Sequence, residues 1–158
     1  MALALTDFTG EWRLRRAIVQ AQGPDARFEG GARLVPDGAG LRYCEQGVLV
    51  IEGQAPLEAE RRTLWRAARG GMIDVLFDDG RPFHRIDPAS ALSHDRHLCG
   101  RDTYDLRHDF SAWPQWELRC RVSGPRKAYT MRTLYTRAGG GAAGTAQAAI
   151  GTMSRSIE

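Results

Sequence analysis

Apolar side chains recur at every second position along most of this chain, and Gly, Pro or Asp breaks the runs about every ten residues. Trp12, Leu14 and Ile18 share one row with Arg16, while Arg13 and Arg15 fall on the other. Phe28, Gly30, Ala32 and Leu34 form one row opposite Arg27, Glu29, Gly31 and Arg33, and Gly30-Gly31 would allow a bend or bulge. The same period continues through Tyr104, Leu106 and His108, through Trp116, Leu118, Cys120 and Val122, and through Tyr129, Met131, Thr133 and Tyr135. No window carries the i, i+3, i+4, i+7 stripe of an amphipathic helix.

The turn signals are equally regular. Pro36-Asp37-Gly38 precedes the run from Leu41, Gln46-Gly47 reads as a short hairpin turn, Gly70-Gly71 ends a strand through Trp65, and Asp79-Gly80 is a strong hairpin signal. Residues 89–97, rich in Ser, His and Asp, read as a polar loop. Strands in sequence order with short links favour a meander over a Greek-key sandwich, and a long meander removes its edges by closing. The predicted fold is all-β: a single closed up-and-down antiparallel β-barrel of about 8 to 10 strands, with room for one small ligand. It spans residues 1–137; the Gly/Ala-rich segment 138–158 lacks alternation and reads as a tail or as a weak helix over a barrel mouth.

Composition narrows the function classes. The net charge is +3, but Lys127 is the one lysine among 22 basic residues, and the arginines alternate with acids along the chain. A nucleic-acid footprint would gather them on one stripe with stacking aromatics, so no nucleic-acid partner is expected. No run approaches the ~20 apolar residues of a membrane helix, and the N-terminus lacks a signal-like basic start, so the expectation is a cytoplasmic chain without a membrane partner; a homodimer stays open. Cys44, Cys99 and Cys120 form no CxxC pair, and the spacing of His94, His97 and Cys99, even with His84 added, matches no closed zinc site. Neither a metal nor a cofactor is expected, and nucleotide-binding glycine loops and the Gly-x-Ser-x-Gly elbow are missing from the sequence.

Residues 8–12, Phe-Thr-Gly-Glu-Trp, resemble the Gly-x-Trp opening of calycin barrels, the lipocalins and fatty-acid-binding proteins. That resemblance implies a short helical turn before the first strand, Trp12 closing the barrel base, and a late arginine over its indole; Arg126, Arg132 and Arg137 are the candidates. The stretches GLRYCEQGVL, DGRPFHRID and the long run from His97 to Arg137 together resemble a bacterial domain-of-unknown-function family of calycin-like barrels, over residues 8 to about 137. The resemblance implies the fold and no activity.

Candidate site residues follow from which polar groups the alternation turns inward. After the Asp79-Gly80 turn, Phe83, Arg85 and Asp87 share one face, and His84 shares the other with Ile86. His84 is therefore either a pocket group or a core histidine bonded to a carbonyl. Tyr104 and His108 lie on one face, roughly 13 Å apart along a strand. Trp113 and Trp116 would seal one end. Arg126 and Lys127 follow the Gly124-Pro125 turn on opposite faces; interior arginines paired with tyrosine hold carboxylates in fatty-acid-carrying calycins, so the resemblance draws attention to Arg126 and Tyr129. The expected function is binding of a small, partly apolar, anionic ligand by His84, Tyr104, His108, Trp116, Arg126 and Tyr129. The alternative is an isomerase, lyase or decarboxylase using His84 as acid or base in the same cavity.

Overall fold

The structure is a computed structural model and describes residues 2–139; the expected tail therefore lies almost wholly outside the described residues. A 3-10 turn, Leu5–Phe8, precedes ten strands: β1 (Gly10–Gln20), β2 (Ala26–Asp37), β3 (Gly40–Ile51), β4 (Leu57–Ala67), β5 (Ile73–Phe77), β6 (Pro82–Ile86), β7 (Leu92–Cys99), β8 (Asp102–Asp109), β9 (Trp116–Ser123) and β10 (Ala128–Arg137). A second 3-10 turn, Arg69–Gly71, links β4 to β5. All ten strands form one antiparallel sheet in the order β6-β5-β4-β3-β2-β1-β10-β9-β8-β7, so the first strand pairs with the last and the meander curls on itself.

The barrel is nearly closed, because β6 and β7 face each other without a backbone ladder. Side chains cross this seam instead: the Arg85 amide donates to Asp95 Oδ2 at 2.6 Å, and the Asp87 amide donates to Ser93 Oγ at 2.8 Å. These bonds satisfy edge amides that a regular partner strand would otherwise take.

Three local readings of the sequence are corrected. Residues 92–99 form a strand and not a polar loop. The alternation was hidden because β7 is inverted: Ser93, Asp95, His97 and Cys99 are its more buried row, while Leu92 and Leu98 are largely exposed. Gln46-Gly47 is no hairpin turn, since β3 runs unbroken through it and pairs Gly47 with Gly30. These glycines serve close approach. A Cβ on Gly47 would stand 2.2 Å from the Glu29 carbonyl oxygen, and one on Gly30 would stand 2.1 Å from that of Gln46. The β2–β3 register is regular at Gly30-Gly31, so no bulge forms there. The bulge occurs on β6, where Val75 pairs with His84 but the next residue, Leu76, pairs with Pro82. The extra residue, Phe83, is thereby turned inward beside His84 instead of opposite it, and it is buried.

One end of the barrel is plugged by aromatic rings. Phe8, carried by the first 3-10 turn, packs against Trp65, Phe110, Trp113 and Trp116. Trp12 donates its indole N–H to the Phe8 carbonyl at 2.9 Å. Arg137 is the late arginine of the clasp, its guanidinium carbon 3.8 Å from the Trp12 ring centroid, with N–H groups donated to the carbonyls of Thr9 and Asp7. The sealed base leaves the barrel interior above it as the place where a ligand can sit.

Candidate functional site

Above the aromatic base lies a narrow cavity with about 40 Å³ of accessible space, part of it open to solvent. Its buried polar network joins an ion pair to a hydroxyl across three strands. Arg16 of β1 and Glu45 of β3 are both buried and meet in a fork, Nη1 to Oε1 at 2.8 Å and Nη2 to Oε2 at 2.9 Å. Arg16 Nε donates to Thr133 Oγ1 of β10 at 2.8 Å. The Tyr43 hydroxyl donates to Glu45 Oε2 and lies 2.9 Å from the Tyr135 hydroxyl. Burial alone would raise the Glu45 carboxyl, but the Arg16 charge and its hydrogen bonds prevail and hold it below its ordinary value. Burial, with the Glu45 carboxylate beside it, pushes the Tyr43 phenol well above its usual range.

Glu45 is the only acid among the lining residues, and Arg16 with Tyr43 occupies it. A second cation remains. Arg61 of β4 sits opposite Glu45 in the β3–β4 register, lines the cavity, and lies 5.4 Å over the Phe83 ring. Among the described residues it has neither an ion-pair nor a hydrogen-bond partner. Its charge is felt by His84 and Glu45.

The imidazoles do not add to this charge. His84 is held neutral first by burial and then by repulsion from His108, Arg61 and His97, which together keep it well below its ordinary value. Burial lowers His108 to about 3. The two rings stack at 5.4 Å, and neither makes an ion pair with a carboxylate among the described residues. The lining residues therefore carry one uncompensated positive charge, at Arg61. Two further polar atoms, His84 Nδ1 and Trp116 Nε1, are buried without a hydrogen-bond partner.

The structure brings His84, Tyr104, His108 and Trp116 together on the cavity wall. It does not bring Arg126 there: that residue is exposed in the β9–β10 turn, away from the lining. Tyr129 stays on the inward row of β10, half-buried near the other end of the barrel, and burial pushes its phenol to about 12. Sequence reasoning missed Tyr43, Glu45 and Arg61. Their signal was a charged or polar residue on the same row as large apolar ones: Leu41, Tyr43 and Glu45 alternate on β3, and Arg61, Thr63 and Trp65 on β4. The cluster from His94 to Cys99 is dispersed, with His94 on the outside, 3.0 Å from Asp105, and His97 against Phe77 and Phe83. No metal-binding group of His, Cys, Asp and Glu occurs among the described residues. Nor is any helix there long and apolar enough to cross a membrane.

Comparison with known proteins places the fold. Residues 8–137 match the profile of a family of unknown function, DUF6314. No curated protein matches the chain. Among solved structures, the S-type phycobiliprotein lyase CPES from Guillardia theta is similar at a TM-score of 0.57 with 8% identity, over 84% of this chain and 90% of that one. At that identity the likeness concerns the barrel alone.

Proposed function

The chain belongs to the family of unknown function DUF6314, and we propose that its barrel binds a small, partly apolar anion, with the anionic group at Arg61. The observation that carries this reading is the charge balance of the cavity: the Arg16–Glu45 pair is complete, and Arg61 is left without a counter-charge among the described residues. A partly buried cation gains most from an anion that brings its own negative charge into the same low-dielectric space. Val75, Leu106, Leu118 and Met131 supply apolar wall for the body of the ligand.

The test compares an acid with its uncharged analogue. Calorimetric titration with 4-phenylbutanoate and 4-phenylbutan-1-ol separates the charge from the apolar body. A charge-assisted hydrogen bond contributes about 1.5–3 kcal/mol, so the acid should bind roughly 10- to 100-fold more tightly. Arg61→Gln should remove that preference. Equal binding of acid and alcohol by the wild-type chain contradicts the proposal.

A further inference from the structure

The cavity beside Arg61 is narrower than the ligand assigned to it. Its accessible space of about 40 Å³ has room for roughly three water molecules, and an acid with an apolar body needs more. The base of the barrel cannot supply that room, because Phe8, Trp12 and Trp116 pack edge to face there and none is more than 2% exposed. The room has to come from a side wall, and one joint in that wall differs from the rest.

That joint is the seam between β6 and β7. Every other neighbouring pair of strands is joined by a backbone ladder. Here two bonds run from backbone to side chain, the Arg85 amide to Asp95 Oδ2 and the Asp87 amide to Ser93 Oγ. β6 is five residues long and carries the bulge at Phe83. Its base end is anchored, since Ile86 pairs with Ile73 and both are fully buried. Its other end leads out of the exposed Asp79-Gly80 turn. Few interactions therefore oppose an outward movement of that end.

What β6 carries links such a movement to the cavity. Phe83 and His84 lie on the cavity wall on one side of the seam and contact Tyr104 and His108 on the other, with ring centroids 6.0 and 5.4 Å apart. Arg61 lies over the Phe83 ring. Parting the seam would separate both ring pairs and widen the cavity next to the cation. The closed seam also leaves His84 Nδ1 buried without a hydrogen-bond partner. An unsatisfied buried polar atom costs free energy that contact with water returns, which favours opening.

We propose that the β6–β7 seam is the entrance of the barrel, and that β6 swings away from β7 to admit the anion and closes behind it. This rests on the anion-binding reading above and adds the route by which the ligand reaches Arg61.

Stopped-flow mixing with 4-phenylbutanoate, followed by tryptophan fluorescence, reads the opening rate. Where opening precedes binding, the observed rate should level off as the acid concentration rises. Asp95→Ala removes one of the two cross-seam acceptors and should raise that plateau about 10-fold, whereas Asp95→Asn keeps an acceptor and should stay near the wild type. Hydrogen exchange of the wild-type chain does not depend on either variant folding: the Arg85 and Asp87 amides should exchange roughly 100-fold faster than those of Leu14 and Ile18 in β1, which is laddered on both sides. A rate that stays linear in acid, a plateau indifferent to Asp95→Ala, or Arg85 and Asp87 amides protected like those of β1 overturns the entrance, and spares the anion site as long as Arg61→Gln weakens binding. Absence of binding, or binding indifferent to Arg61→Gln, overturns the anion site and the inference with it.

Discussion

Glu45→Gln isolates the ion pair on which the cavity's charge balance depends. The substitution keeps the shape of the side chain and an oxygen that can accept from Tyr43, but it removes the charge that neutralises Arg16, which is 7% exposed. Arg16 would keep its bond to Thr133 and the Nη2 bond to the oxygen shared with Tyr43, while Nη1 would lose its acceptor and face the amide NH2. Removing one partner of a buried pair leaves an uncompensated charge and costs about 3–5 kcal/mol. For a domain of this size that corresponds to a fall in Tm of about 10–15 °C. Urea denaturation followed by tryptophan fluorescence at pH 7 measures the cost. The double variant Arg16→Met, Glu45→Gln removes both charges and should recover most of it, because a neutral side chain of similar length replaces the stranded cation. The pH dependence supplies a check of sign. The Glu45 carboxyl is depressed in the fold, so its contribution is complete above the unfolded carboxyl range and is lost as pH falls through the folded value. Glu45→Gln should therefore flatten the acid limb of the stability curve. A cost under about 1 kcal/mol would mean that water already solvates Arg16 and that Arg16 and Glu45 do not neutralise each other as a buried pair.

Three further outcomes follow from the same geometry. His108 at about 3 and His84 well below its ordinary value stay neutral in the fold while the unfolded chain takes up protons below about 6.5. Stability should therefore fall with pH, by about 2 kcal/mol at pH 5 for His108 with His84 acting in the same direction, and equal denaturation midpoints at pH 7.5 and pH 5 would refute this. Gly47→Ala should disrupt the β2–β3 pairing, because its Cβ would meet the Glu29 carbonyl at 2.2 Å, whereas at Gly31 the nearest atom is 3.5 Å away and alanine should be tolerated; equal melting temperatures for the two variants would contradict the close approach. Trp12→Ala should cost about 3–5 kcal/mol by emptying the barrel base and releasing the Arg137 clasp, and a harmless substitution in a denaturant titration would contradict that assignment.

The legible part of the fold was the part governed by period-two burial. Trp12, Leu14 and Arg16, like Tyr104, Leu106 and His108, lie on one row in the sequence and on one wall of the barrel. The reading lost its footing where another constraint overrode that period. On β7 the seam with β6 demands hydrogen-bonding side chains inside, so Ser93 and Asp95 occupy positions that an ordinary strand gives to apolar residues. At Gly47 a glycine answers to the backbone of the neighbouring strand and not to a turn. The site shows the same division. His84, Tyr104, His108 and Trp116 were reachable by alternation, whereas Arg126 rested on the resemblance to fatty-acid-carrying calycins, and it lies in a turn where a cation is free to stay in water. A cation in mid-strand on an apolar row has no such freedom, and Arg61 has that placement.

An unmatched positive charge at Arg61 calls for an acid as the cavity's occupant. Native mass spectrometry of the freshly purified chain, in parallel with Arg61→Gln, tests it most directly. A small carboxylic acid retained by the wild-type chain and missing from the variant is the predicted result. A neutral or cationic molecule retained equally by both would contradict the account.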